Sequence, residues 1–322
     1  MSKKFIIFTI IFMIIDGIPS ISTEDNVLLT KPSSLAFYAS QNTNLSTNKY
    51  CRTCCIDVQV KTVGKKCGSH TLCKYANQKI GPACKGYVPV LFSDTEKHLL
   101  VDAHNTIRNK VASGVVPAAN MRMLEWDDEL AATADRWAAQ CIFGNDICRD
   151  LERFPVGQNI ARGSIATDGV MHLLEMWYQG AEYINKSIVQ SYKLPVGSKR
   201  QQRLYTMYSQ LVWADTYLIG CARVIFQTTK GPKVQYIQHL ICNYGPTGNI
   251  PNQRMYKIGT PCSECQEGTS CHSEYESLCA TDAWDAFDDY FLHEKVTYNN
   301  GTQLAVQKFL VNLICALLLH QW

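Results

Sequence analysis

Fifteen cysteines in a chain of 322 residues restrict what this protein can fold into more than any other feature. Each bridge that closes must bring two backbone positions to within about 7 Å and removes conformations from the unfolded chain. Six fall at Cys51, Cys54, Cys55, Cys67, Cys73 and Cys84, two at Cys141 and Cys148, two at Cys221 and Cys242, and four at Cys262, Cys265, Cys271 and Cys279. The fifteenth, Cys315, stands alone in an apolar tail, so parity sets that tail apart from an oxidised fold.

Pairing needs an oxidising compartment, and the N-terminus predicts one. Lys3-Lys4 precedes an apolar run from Phe5 to Ile15, and Ser20 and Ser22 bracket a cleavage point, which is the pattern of a secretory signal peptide over residues 1–22. The run is about half as long as the twenty or so residues of a membrane span. Zinc is the competing use of clustered thiols. Cys262-x-x-Cys265 has no second Cys-x-x-Cys or His-x-x-x-His at zinc-site spacing, so neither a metal site nor any other cofactor is expected. A net charge of +3 without blocks of like charge gives no reason for a nucleic-acid partner.

With 46% hydrophobic and 18% charged residues, the chain supports one good core with appendages. A flexible lead-in rich in Ser, Thr and Asn covers residues 23–49. Residues 50–89 are cysteine-rich and too polar for a core of their own, so they require stapling. The main domain spans 90–256. A second cysteine-rich segment covers 257–280, an acidic stalk 281–308, and the apolar tail 309–322. In the stalk, Trp284, Phe287 and Phe291 recur at helical spacing and predict a short docking helix. Glycosylation sequons stand at Asn44, Asn185 and Asn300.

Ser93-Asp94-Thr95-Glu96 spells a capping box. Leu99, Leu100, Ala103, Ile107 and Val111 follow near helical spacing, so a helix of about five turns is expected to end near Gly114 and Pro117. His104, among apolar neighbours on that helix, reads as a hydrogen-bonded structural residue. A second helix starts around Leu124 to Ala131, its carboxylate trio Asp127, Asp128 and Glu129 explained by the helix dipole rather than by a metal. A third begins near Asp168 with Leu173, Leu174 and Trp177 inward. The basic stretch from Ile184 to Arg203 reads as a surface loop with solvated charges. From Leu204 a short polar helix precedes a buried strand. Strands 220–227 and 233–244 flank a turn at Thr228 to Pro232 and bring Cys221 and Cys242 to neighbouring positions where a bridge can close.

Four spellings recur together: His104-Asn105-x-x-Arg108, Gly157-Gln158-Asn159-Ile160, Ser209-Gln210-Leu211-Val212-Trp213, and Leu240-Ile241-Cys242-Asn243-Tyr244-Gly245-Pro246. With the ordered cysteines they resemble the CAP superfamily of cysteine-rich secretory, antigen five and pathogenesis-related proteins, in the insect venom-allergen branch. The resemblance covers roughly Tyr50 to Ala280. It implies an α+β fold, a three-layer α-β-α sandwich with a disulfide-rich N-terminal extension and a short C-terminal cysteine-rich hinge. It also implies the bridges Cys51 to Cys73, Cys84 to Cys141, and Cys54 or Cys55 to Cys148, with Cys67 taking the member of the adjacent pair that remains.

In that superfamily a central cleft carries two His and two Glu, which can hold a divalent ion or move protons. Carried over position by position, the His slots fall on Asn145 and Met207, and the Glu slots on Gln158 and Gly180. None of these is an acid, a base or a strong ligand at neutral pH. The resemblance therefore implies a non-enzymatic protein, secreted or surface-anchored, whose partner is a small lipid, a small mediator or a receptor. Its alternatives are a seminal-fluid, salivary or venom signalling protein acting on a receptor, or a metal-dependent hydrolase. A Ser-His-Asp hydrolase has no supporting Gly-x-Ser-x-Gly.

At the C-terminus, Asn299-Asn300-Gly301, a polar spacer through Lys308 and the apolar run Phe309 to Leu319 spell a glycosylphosphatidylinositol-type anchor signal. Its spacer is shorter than the usual eight to twelve or so residues. The competing reading is an apolar helix on a simply secreted chain. The anchor is the one route to a membrane expected from the sequence.

Overall fold

The computed structural model describes residues 48–55, 66–77, 79–230 and 233–281. The signal peptide, nearly all of the lead-in, Asn44, the stalk beyond Thr281 with the short helix expected there, Asn300, Cys315 and the tail lie outside the described residues.

Two long antiparallel strands form the spine, β6 (Leu218–Lys230) and β7 (Lys233–Gly245). They carry β3 (Lys85–Val90) on one side and β5 (Gly157–Ser164) on the other, in the order β3-β6-β7-β5, with the short β4 (Glu125–Trp126) pairing parallel to β6. The register sets Cys221 opposite Cys242, and the two are bridged. Successive strand residues point to opposite faces, which yields two cores. Ile160, Ala222, Val224, Phe226 and Ile241 pack with Ala134, Trp137 and Ala138 of one helix, α3 (Asp128–Ala138). Ala161, Cys221, Leu240 and Cys242 pack on the other face against α2 (Asp94–Ala112), α4 (Val170–Tyr178) and α6 (Lys199–Leu211). The result is an α-β-α sandwich. The close seat of α3 depends on Gly220, where a Cβ would lie 2.1 Å from the Ala131 nitrogen.

Side-chain caps start α2, α3 and α6, whereas α4 follows Gly169, which supplies none. Ser93 Oγ accepts from Glu96 N and Glu96 Oε2 accepts from Ser93 N at 2.8 Å, the reciprocal box expected. Asp127 caps α3, and Asp128 and Glu129 fill its first turn, so those carboxylates serve the helix end.

The N-terminal extension contributes a 3-10 turn (Lys49–Cys51), β1 (Cys54–Cys55), β2 (Lys66–Cys67) and α1 (Thr71–Lys74). Its bridges are Cys51–Cys73, Cys54–Cys67, Cys55–Cys148 and Cys84–Cys141, which decides the open choice between Cys54 and Cys55. Buried Tyr50 stacks on His70 with ring centroids 4.7 Å apart and packs against Leu130, Leu151 and Phe154. Residues 85–90 belong to the main sheet, so an extension ending at 89 would cut through a strand. The C-terminal cysteines pair as Cys262–Cys271 and Cys265–Cys279. This segment is docked on the domain, with Leu278 and Ala280 in its core and Cys279 exchanging backbone bonds with Met121 and Met123 at 2.8 and 2.9 Å.

Two expectations need correction. The stretch from Ile184 to Arg203 is not one surface loop. It holds a short helix, α5 (Lys186–Gln190), it buries Val189 and Tyr192, and its last residues already belong to α6. Ser198 and Gln201 form a second capping box that starts α6 ahead of its first apolar residue, Leu204, and the basic side chains line the exposed side of the turns in between. The first hairpin strand also runs farther than expected, through Thr228 to Lys230, because the pairs out to Lys230 opposite Lys233 keep ladder register.

Candidate functional site

Strand β5 decides how the four cleft positions are arranged. Gln158 lies on the α3 side of the sheet, where its Nε2 donates to Asn243 Oδ1 at 2.9 Å and its Oε1 accepts from Asp146 N at 2.8 Å. Asn243 Nδ2 in turn donates to the Leu130 carbonyl of α3 at 3.2 Å. Asn145 Nδ2 donates to the Gln158 carbonyl at 2.9 Å. These bonds tie the loop between Cys141 and Cys148 to the sheet.

The next residue points the other way. Asn159 Nδ2 donates to the Met207 carbonyl of α6 at 2.9 Å. Met207 packs, half-buried, against the core on that face. Gly180 sits in a 3-10 turn (Gln179–Tyr183) pressed on α6, where a Cβ would lie 2.0 Å from the Leu204 carbonyl oxygen and 2.8 Å from Tyr208 Cβ. The structure thus brings Asn145 together with Gln158, and Gly180 close to the α6 turn that carries Met207, with the sheet between the two pairs. It does not gather the four side chains into one cleft.

Two groups on the buried side of α2 hold this half of the molecule. His104 Nδ1 donates to the Leu100 carbonyl at 2.6 Å, which leaves Nε2 to accept from the Tyr244 hydroxyl at 3.0 Å. Burial, reinforced by the nearby Arg108 cation, lowers its pKa to about 4, so it is a neutral structural residue at physiological pH, as its apolar setting suggests. Arg108 is fully buried and donates to the carbonyls of Arg122, Leu211, Trp213 and Thr216 at 2.7–3.0 Å. Burial pulls it down to about 9, which still leaves it a cation. The His-Asn-x-x-Arg spelling marks the position in the sequence. That its arginine gathers the turn between α6 and β6 was not legible, because its partners are backbone atoms.

Among the described residues, one group of three metal-type ligands lies close together, Cys262, Cys265 and Cys279, with sulfurs within 4.8 Å. All three are spent in disulfides. The cleft positions supply an amide, an amide, a glycine and a thioether, a donor set that does not fit a divalent ion. Asn185, the one described sequon, is exposed and caps α5 by accepting from Ile188 N at 3.1 Å. No helix among the described residues is long and apolar enough to cross a membrane.

Residues 101–244 match the profile of CAP, the cysteine-rich secretory protein family. The chain is 38% identical over 201 residues to Venom allergen 3 homolog of Dinoponera quadriceps, covering 59% of this chain and 84% of that protein. The chain belongs to the CAP family. Two further relatives place it in the antigen-five-like branch. Venom allergen 3 of Solenopsis invicta is 37% identical over 238 residues, 70% of this chain and 95% of the relative. Venom allergen 5 of Vespula vidua is 36% identical over 222 residues, 65% of this chain and 98% of the relative. The α-β-α sandwich, the N-terminal bridges and the docked C-terminal bridges are the form this CAP chain takes.

Proposed function

We propose that this CAP-domain chain acts outside the cell by binding, with a small lipid, a small mediator or a receptor as its partner, and that positions 145, 158, 180 and 207 carry no catalysis. The observation that carries the reading is the state of Gln158 and Gly180. Both amide ends of Gln158 are engaged in structural hydrogen bonds, and Gly180 leaves no space for a side chain. A site that needs a carboxylate at each has neither the charge nor the room. Seven disulfides among the described residues support an extracellular, oxidising setting. Relatives named as venom allergens support a glandular product.

The test is metal analysis and native mass spectrometry of protein secreted by insect cells. The reading expects no stoichiometric zinc after dialysis, and a co-purifying small molecule or a saturable cell-surface receptor. Zinc held one-to-one and lost on substituting Met207 or Asn145 would overturn it. Surface attachment through the C-terminal signal belongs to the same proposal. A phosphatidylinositol-specific phospholipase is expected to release the protein from expressing cells. Protein found wholly in untreated medium, with residues Phe309 to Trp322 still attached, refutes the anchor.

A further inference from the structure

The segment leading into α6 combines two features that neither the core nor the helix requires. Val196 is 90% exposed and Leu194 51% exposed. Their loop is held in place, since the Tyr205 hydroxyl donates to the Lys193 carbonyl at 2.9 Å and Gln202 Nε2 to the Gly197 carbonyl at 2.8 Å. Immediately after it, Lys199, Arg200 and Arg203 occupy the first two turns of α6, all exposed. That is the end of a helix where the macrodipole opposes positive charge. Among the described residues none of the three forms a salt bridge.

A fourth cation joins from the edge of the sheet. Arg162 of β5 and Arg203 both lie over the Phe143 ring, with guanidinium carbons 4.2 and 4.9 Å from its centroid. Arg162 Nε donates to His239 Nε2 at 2.9 Å. Burial, with the Arg162 cation beside it, lowers the pKa of His239 to about 3, so the imidazole is neutral and compensates none of the charge. Two guanidiniums thus share one ring without a carboxylate.

Clustered cations repel one another, and apolar side chains standing in water gain nothing there. One kind of surface relieves both costs, negative at its face and apolar just beneath. We propose that the loop 193–197, the first two turns of α6 and Arg162 dock on an anionic phospholipid bilayer. Leu194 and Val196 enter the headgroup region, and the four cations meet lipid phosphates and carboxylates. A sulfated polysaccharide would answer the cations but offer nothing to Leu194 and Val196, so the exposed apolar pair favours the bilayer. None of the four cleft positions takes part, and the inference stands or falls apart from the function proposed above.

The test is co-sedimentation of the full chain with vesicles of phosphatidylcholine alone and of phosphatidylcholine mixed with phosphatidylserine. Two variants accompany it, Lys199→Gln/Arg200→Gln/Arg203→Gln and Leu194→Ser/Val196→Ser. All five side chains are exposed, and both variants are expected to keep the wild-type melting curve. Wild type is expected to partition onto the mixed vesicles and hardly onto the neutral ones. At about five-fold per cation, the charge variant loses about 100-fold. The serine variant loses about ten-fold or more while eluting unchanged from a heparin column. Failure to bind mixed vesicles, equal binding to both kinds, or binding that survives in both variants overturns the proposal. So does binding lost in the charge variant but untouched in the serine variant, which would mark a polyanion site instead.

Discussion

Arg108 is the residue whose loss the structure prices most directly. Its guanidinium is fully buried and its donors reach five carbonyls, those of Arg122, Leu211, Trp213, Ala214 and Thr216, the Ala214 contact being the longest at 3.4 Å. Trp213 and Ala214 carbonyls also accept from Thr216 N and Arg122 N, so they stay satisfied without the side chain. The carbonyls of Arg122, Leu211 and Thr216 depend on Arg108. Each buried acceptor left bare costs about 1–3 kcal/mol, a gross loss of about 3–9 kcal/mol for Arg108→Met. Removing a desolvated charge returns several kcal/mol of that, and a net loss of about 4 kcal/mol is expected. Arg108→Lys keeps the charge but has three donors on one atom in place of a planar fork, so about 2 kcal/mol is expected. Guanidinium denaturation under non-reducing conditions, followed through the fluorescence of buried Trp213, measures both. Arg108→Met within about 1 kcal/mol of wild type, or Lys below Met, would refute the assignment of Arg108 as the clamp on the turn between α6 and β6.

Three further outcomes are expected. Gly180→Ala should cost about 1–3 kcal/mol by overpacking against Leu204, while Gly169→Ala, where a Cβ meets nothing within 4 Å, should be nearly neutral; equal melting temperatures would show that the turn at Gly180 has slack. Gln158→Glu should destabilise by about 1–3 kcal/mol at pH 7, because an acceptor oxygen would replace the Nε2 donor that faces Asn243 Oδ1, and the deficit should shrink on acidification as the new carboxyl takes up a proton. A deficit independent of pH would refute that account. Folding stability itself should fall on acidification. His104, with its folded pKa at about 4, is neutral in the fold, whereas the unfolded chain takes up its proton from about pH 6.5 downward. The contribution is therefore complete above that pH and is lost as pH falls toward 4, by about 3 kcal/mol. His70 and His239, lowered by burial to about 4 and about 3, act in the same direction. Urea midpoints that do not decline between pH 7 and pH 4.5, or a His104→Gln variant with an undiminished slope, would count against it.

Much of this fold can be read in the residues. The capping box at Ser93, the carboxylates ahead of α3 and the neutral setting of His104 follow from spacing and neighbours alone, because the interactions are local. The box at Ser198 has the same kind of spelling, yet it stands among cations without an apolar period, so the sequence predicts loop up to Arg203 and starts the helix only at Leu204. Partnerships with backbone atoms leave no trace in sequence, which is why the role of Arg108 needed coordinates. The choice between Cys54 and Cys55, and the pairing of four hinge cysteines, are questions of Cα separation that spacing cannot answer. At the cleft, the identities of positions 145, 158, 180 and 207 were legible, but their separation by the sheet was not. It rests on which face of β5 meets α3.

That separation shows what the fold itself asks of these positions. Along β5, Gln158 joins the loop of Cys141 to Cys148 to the sheet, and Asn159 joins the sheet to α6. An amide at 158 performs the first task because it can accept from Asp146 N and donate to Asn243 at once, which a carboxylate cannot do. The second task uses the carbonyl of residue 207, so any side chain there leaves the bond intact. Gly180 is held by close approach to Leu204, a task that only the smallest residue performs. At three of the four positions the demand of the fold is thus met by an amide, a backbone atom or an absent side chain, and none of these demands calls for an acid or a base.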